Sequence, residues 1–272
     1  MTFNEHDIQD AVREINSQQI ADIQKVFRKL VHLIDLTTLE ATDTDERVRA
    51  LCKRAWSVAH EEKGIPTTAA VCVYPPFVKT AVEALQGKDI SVAAVAGAFP
   101  SGQSPLEIRL SEVRYAVKQG AKEIDMVITR GRFLAGDEAW LREEVQKHKE
   151  ACGQAHLKVI LETGELKDPN LIYKASMISM EAGADFIKTS TGKVQPAATL
   201  EAAYVMLHAI REFYEKTGKK VGFKPAGGIS EPLVAVHYYQ LVDAILGQQW
   251  LNNELFRIGA SRLLNQLEDA IA

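Results

Sequence analysis

Cysteine is scarce in this chain. The three present, Cys52, Cys72 and Cys152, are odd in number and none forms a Cys-x-x-Cys pair. This argues against a disulfide framework or a structural zinc knuckle, and a reducing, cytoplasmic setting is expected. Long hydrophobic runs are also missing. The longest near-apolar stretch, Ser91 to Pro100, is too short to span a bilayer. The opening MTFNEHDIQD is polar and acidic, without the apolar core of a signal peptide. The formal net charge is only -4, so neither nucleic acid nor a membrane is expected as a partner. The seven histidines, His6, His32, His60, His148, His156, His208 and His237, stand at no metal-ligand spacing. No metal and no other cofactor is therefore expected. A Gly-x-Ser-x-Gly elbow is absent, which disfavours a Ser–His–Asp hydrolase.

What is present is a repeated alternation. The chain has 272 residues, 46% hydrophobic and 25% charged, ordinary values for a soluble globular protein. Eight short β-rich runs are predicted at Leu30–Leu36, Ala69–Tyr74, Ile90–Ala96, Glu123–Ile128, Leu157–Glu162, Asp185–Thr189, Val221–Pro225 and Leu255–Ile258. Amphipathic helical segments separate them, and another, Ser261–Ile271, follows the last. Ser104-Pro105-Leu106-Glu107 reads as a capping box with proline at the first helical position. Asp168-Pro169 is a second cap-plus-proline start, and Gly120 and Gly183 stand where helices should end. Eight such units in about 240 residues have the size and rhythm of an α/β TIM (β/α)8 barrel. A doubly wound sheet is the alternative, but Leu36-Thr37-Thr38-Leu39 lacks the glycines its first turn usually carries. No Pro/Gly/Ser linker divides the chain, so residues 1–272 are expected to form one domain. Residues 1–29 precede the first strand and predict one or two extra helices, serving as a lid over the barrel bottom or a dimer contact.

Several predicted strands carry charges where a barrel strand should be apolar. Side chains alternate across a strand. If Ile124, Met126, Val159, Leu161, Ile187, Val221 and Phe223 face the helices, then Asp125, Lys158, Lys188 and Lys224 point into the barrel. They fall on four consecutive strands, roughly 4.8 Å apart. Buried charges are costly unless they pair or shift their pKa. An ion-pair network that merely fills the barrel is the plain reading of any one of them. Two lysines and an aspartate converging near strand C-terminal ends point instead to catalysis, which sits on that face of the fold.

A lysine becomes nucleophilic when its pKa falls, and a second cation nearby lowers it. Lys188 and Lys224 on adjacent strands form such a pair. A useful value would be about 7 to 8, down from about 10.4. The neutral amine attacks an aldehyde or ketone. The protonated imine is then an electron sink, so a neighbouring C–C bond breaks or forms. Asp125, with or without a water, is placed to move protons. Cys72, between valines, is read as a packed small hydrophobe. Glycine-containing turns follow three late strands, Thr189-Ser190-Thr191-Gly192-Lys193, Ala226-Gly227-Gly228-Ile229-Ser230 and Gly259-Ala260-Ser261. A single such turn is ordinary turn chemistry. Three around one rim, the last opening a helix, favour a phosphorylated substrate.

These residues carry a resemblance. Phe186-Ile187-Lys188-Thr189-Ser190-Thr191-Gly192-Lys193, Gly222-Phe223-Lys224-Pro225-Ala226-Gly227-Gly228, Leu157-Lys158 with Glu162-Thr163-Gly164-Glu165-Leu166, and Ile34-Asp35-Leu36-Thr37-Thr38-Leu39 resemble the deoxyribose-phosphate aldolase family. The likeness runs from about residue 30 to the C-terminus. It implies a TIM barrel and reversible cleavage of 2-deoxy-D-ribose 5-phosphate to D-glyceraldehyde 3-phosphate and acetaldehyde. It implies that Lys188 forms the Schiff base, that Lys224 perturbs it, and that Asp125 shares in proton transfer. Asp35 and Lys158 match supporting and substrate-contacting positions. Thr191, Gly192, Gly227, Gly228 and Ser261 belong to the stretches expected near the phosphate. Arg262 stands where many members have a small hydroxyl residue; it either adds a cation to the phosphate site or points into solvent, the reading preferred here. The chain stops at Ala272, short of the tail with which some members reach the active site, so proton transfer is expected to rely more on water. The expected partners are a small phosphosugar and an aldehyde, with assembly as a dimer or tetramer. Two other readings stay open: a Schiff-base aldolase or transaldolase for another phosphosugar, and a non-catalytic phosphosugar-binding barrel.

Overall fold

The computed structural model describes residues 2–271. Eight strands run in the order β1 (Ile34–Thr37), β2 (Ala70–Val73), β3 (Ser91–Ala96), β4 (Glu123–Val127), β5 (His156–Ile160), β6 (Phe186–Lys188), β7 (Gly222–Lys224) and β8 (Ile258–Ala260). Each pairs in parallel with its neighbours along the sheet β7-β6-β5-β4-β3-β2-β1-β8. Parallel bridges Phe223–Phe256 and Ala226–Gly259 close the ring. The closure is hydrogen-bonded: Arg257 N–H donates to the Phe223 carbonyl at 3.0 Å and Gly259 N–H to that of Pro225 at 3.0 Å. The result is the expected TIM barrel.

Among the described residues, twelve α-helices accompany the strands. They are α1 (Glu5–Asn16), α2 (Ile23–Val31), α3 (Asp45–Ser57), α4 (Val78–Ala84), α5 (Leu106–Lys118), α6 (Arg130–Leu134), α7 (Glu138–Cys152), α8 (Thr163–Leu166), α9 (Pro169–Glu181), α10 (Leu200–Thr217), α11 (Pro232–Leu246) and α12 (Leu263–Ala270). The residues expected to face outward, Ile124, Met126, Val159, Leu161, Ile187, Val221 and Phe223, all join the main core between strands and helices. Inside the barrel the apolar filling is small: Leu39, Cys72, Ala93 and Val95 form a separate cluster. That small filling leaves the other half of the interior to charged side chains.

Four sequence expectations need correction. The first strand does not begin at Leu30, because Val26, Phe27, Leu30 and Val31 bury one face of α2. The last strand is displaced toward the C-terminus: Leu255–Arg257 bonds to β7, but the ladder with β1 runs over Ile258–Ala260. Gly259 reads as a turn in sequence, yet a Cβ there would lie 2.8 Å from Ala226 Cβ and 3.2 Å from Lys224 Cε. The glycine serves close packing within a strand. Helix α5 starts one residue later than expected, with Pro105 at the N-cap and no side-chain cap bond. Finally, α1 is no lid over the barrel bottom. It packs along α10 and α11 on the outer layer, and Phe3 N–H reaches Asn170 Oδ1 at 3.0 Å. Asp168 does cap α9 with Pro169 at its first turn, and Gly120 and Gly183 follow their helices at φ +107° and +104°. Among the described residues no helix is long and apolar enough to cross a membrane.

Candidate active site

Strand register sets the heights of the inward side chains. Asp125 is level with Lys158, and Lys158 with Phe186. Lys188 and Lys224 are level with each other on the next inward layer, toward the strand C-terminal ends. Asp125 joins the layers. Its Oδ2 accepts from both Lys188 Nζ and Lys224 Nζ at 2.7 Å, and its Oδ1 from Lys158 Nζ at 3.2 Å. Lys224 donates also to Asp35. All four residues expected to point inward therefore do so and touch, and Asp35 joins them.

Two members of the cluster escaped the sequence reading. Glu123 takes a hydrogen bond from Lys158. Arg257 donates to Asp35 Oδ1 at 2.7 Å and to the two Glu123 oxygens at 2.9 and 3.2 Å. A signal for Glu123 existed, since it lies two residues before Asp125 and shares its parity. Arg257 carried the same signal, since it lies in the predicted run Leu255–Ile258 between apolar Phe256 and Ile258, but the parity rule was not carried to that strand. All seven charged residues are buried.

The environment separates the lysines. Burial lowers the Lys188 pKa; Asp125 partly opposes this and Lys224 reinforces it. The sequence reading assigned the effect to Lys224 alone, whereas burial is the larger cause. Burial also works against the charge on Lys224 and on Lys158, but their carboxylates outweigh it and both end above the ordinary value. Asp125 is held well below the usual carboxylate range by Lys158, Lys188 and Lys224 despite its burial. Of the three lysines in the cluster, Lys188 is the one whose pKa falls.

Above the cluster lies a cleft of about 330 Å³ with Lys188 at its floor and Thr191, Gly192, Gly227, Gly228 and Ser261 in its walls. The loops after β6 and β7 are stitched together: Ser190 Oγ donates to the Ala226 carbonyl at 2.5 Å, and Ala226 N–H to Thr189 Oγ1 at 3.0 Å. Gly227 sits at φ +89°, and a Cβ on it would lie 2.8 Å from Gly192 Cα and 2.7 Å from Ala197 Cβ. Only glycine lets these two loops meet at the rim. The Thr191 hydroxyl donates to Glu162 Oε2 at 2.5 Å, so it holds its loop in place rather than facing the cleft freely. Glu162 lies beyond the end of β5, in the left-handed region at φ 55°. Lys193 at the rim pairs with Glu40 at 3.1 Å. Arg262 is exposed and lines the cleft.

A closed parallel barrel with a buried lysine at the floor of a glycine-rimmed cleft is an arrangement that suits an aldolase. The comparisons with known proteins narrow this. Residues 29–263 match the sequence profile described as DeoC/LacD family aldolase. The deoxyribose-phosphate aldolase of Homo sapiens is 52% identical over 254 residues, covering 89% of this chain and 80% of the human one. That of Mus musculus is 51% identical with the same coverage. A crystal structure of a provisionally assigned deoxyribose-phosphate aldolase from Toxoplasma gondii superposes with a TM-score of 0.80 at 27% identity, covering 91% of this chain and 94% of that one. The chain belongs to the DeoC/LacD family of aldolases.

Proposed function

We propose that the chain cleaves 2-deoxy-D-ribose 5-phosphate to D-glyceraldehyde 3-phosphate and acetaldehyde through a Schiff base on Lys188. The observation that carries this is the Asp125 carboxylate shared by three lysines, of which only Lys188 has its pKa lowered. Neutral Lys188 Nζ attacks C1 of the open-chain aldehyde, and loss of water leaves a protonated imine. The C3 hydroxyl gives up its proton, the C2–C3 bond breaks, and its electron pair enters the imine as an enamine. D-glyceraldehyde 3-phosphate departs. The enamine carbon is protonated, and water then hydrolyses the imine to acetaldehyde and free Lys188. Water lost in the first step is regained in the last. Asp125, linked to both amines, is the group placed to pass protons between Lys224 and the reacting atoms.

The phosphate belongs at the opposite end of the cleft, with the backbone of Gly192, Gly227 and Gly228 and the Ser261 turn. Lys158 and Asp35 support Lys224 and Asp125 from below. Arg262 is exposed to solvent, as expected, and from the rim it adds a cation to this reading. Assembly as a homo-oligomer is part of the same reading, as is a cytoplasmic location, which the three unpaired, buried cysteines support.

The test is a retro-aldol assay with 2-deoxy-D-ribose 5-phosphate, with unphosphorylated 2-deoxyribose in parallel, and reductive trapping of acetaldehyde followed by peptide mapping. Turnover of the phosphate ester with the adduct on Lys188 is expected, and both Lys188→Ala and Lys188→Arg should lose it. An adduct on Lys224, or on no lysine, overturns the assignment. Turnover of other phosphosugars alone moves the protein to a different aldolase reaction. Ligand binding without turnover makes it a sensor.

A further inference from the structure

The charged groups inside the barrel do not balance. The strands bring Asp35 from β1, Glu123 and Asp125 from β4, Lys158 from β5, Lys188 from β6 and Lys224 from β7, while Arg257 enters just before β8. Strand β3 contributes only Ala93 and Val95 to the interior cluster, and β2 contributes Cys72. Burial pushes the Cys72 thiol up to about 11, so it stays neutral. Four cations therefore face three carboxylates. The three carboxylates lie below their ordinary pKa values, and Lys158, Lys224 and Arg257 above theirs. The one proton whose loss makes the cluster neutral comes from Lys188.

Arg257 is the surplus cation furthest from the chemistry. It splits its guanidinium between Asp35 and Glu123. The other Asp35 oxygen takes Lys224, and Glu123 also takes Lys158. With Asp35 and Glu123 occupied in this way, Asp125 alone contacts Lys188. We propose that Arg257 and Glu123 are positioning residues that set, through Asp35 and Lys158, how readily the Lys188 amine gives up its proton. Removing the Arg257 charge leaves three cations on three anions, and protonated Lys188 then becomes part of a balanced set. Removing the Glu123 charge leaves four cations on two anions and drives the proton off more easily. Removing both restores an excess of one cation.

The inference rests on Lys188 being the Schiff-base lysine, and the test separates the two. The rate of acetaldehyde trapping on Lys188 by cyanoborohydride is followed against pH, with the adduct mapped by mass spectrometry. In Arg257→Gln the acid limb should move up by about one pH unit, the effect of one charge roughly 10 Å away at an effective dielectric near 20. In Glu123→Gln it should move down by a similar amount. The double variant and Arg257→Lys should both return to the wild-type position. Limbs that do not move, or single variants that shift in the same direction, overturn the proposal, because a merely structural role lowers the rate without opposite displacements. Should Arg257→Gln fail to fold, the sign of the Glu123→Gln shift decides. A wild-type protein that never traps acetaldehyde on Lys188 refutes the Schiff-base reading itself.

Discussion

Replacing Lys224 with methionine tests the physical basis of the Lys188 nucleophile. Lys188 Nζ and Lys224 Nζ each lie 2.7 Å from the same Asp125 oxygen, so the two nitrogens are at most about 5.4 Å apart. Two unit charges at that separation repel by about 3 kcal/mol at an effective dielectric near 20. That equals about two pH units. Methionine keeps the length and the apolar stem but removes the charge, and it leaves Asp125 free to hold the Lys188 proton more firmly. The Lys188 pKa should therefore rise by about two units, and the neutral fraction near pH 7 should fall about a hundredfold. Reductive trapping of acetaldehyde between pH 6 and 10 reads this directly. The expected result is slow trapping at neutral pH that recovers as the pH rises, with Lys224→Arg much closer to wild type. An acid limb at its wild-type position in Lys224→Met would refute the reasoning, since burial alone would then account for the lowered pKa.

Other consequences follow from the packing around the site. A Cβ on Gly222 would lie 2.2 Å from the Phe186 ring, which packs 5.8 Å from Lys158 Nζ. Gly222→Ala should cost about 1–3 kcal/mol, and adding Phe186→Leu should return part of it in urea melts. Outside the barrel, Arg109 is buried against Glu144 at 2.8 Å and also bonds the Gly97 and Val127 carbonyls. Arg109→Met leaves that carboxylate without its cation and should cost about 3–5 kcal/mol, seen as a lower Tm, with part recovered in Arg109→Met/Glu144→Leu. Asp35, Glu123 and Asp125 hold pKa values below the ordinary 3.8 to 4.5. The unfolded chain therefore binds more protons below that range. The stability these groups contribute is present above about pH 5 and should be lost progressively as the pH falls below about 4, with the loss continuing under about pH 3. Glu162 has the opposite sign. Burial raises its pKa above 4.5, against the Thr191 hydrogen bonds, so its contribution falls as the pH rises past 4.5. Glu162→Gln should remove that component from the urea midpoint between pH 4 and 6 while leaving the steeper acid loss in place.

Much of this molecule is local and therefore legible in the sequence. The alternation of short apolar runs with amphipathic segments specifies the barrel because each unit buries its own strand against its own helix. Strand parity is a two-residue rule. It assigned Asp125, Lys158, Lys188 and Lys224 to the interior from their apolar neighbours alone, and the FIKTSTGK and GFKPAGG stretches named the chemistry. The boundaries misjudged were those at which a tertiary contact overrides a local pattern. Apolar residues of α2 continue directly into β1, and Gly259, which has the look of a turn, is held in a strand by Lys224 and Ala226 pressing from the neighbouring chain segment. The barrel's closure decided the rest. It brings β8 beside β7, carries Arg257 to Asp35 across 222 residues of chain, and makes seven charges share one buried interior. A sequence states which residues can ionise. Only the closed barrel decides how many cations meet how many anions, and so which lysine has its pKa lowered.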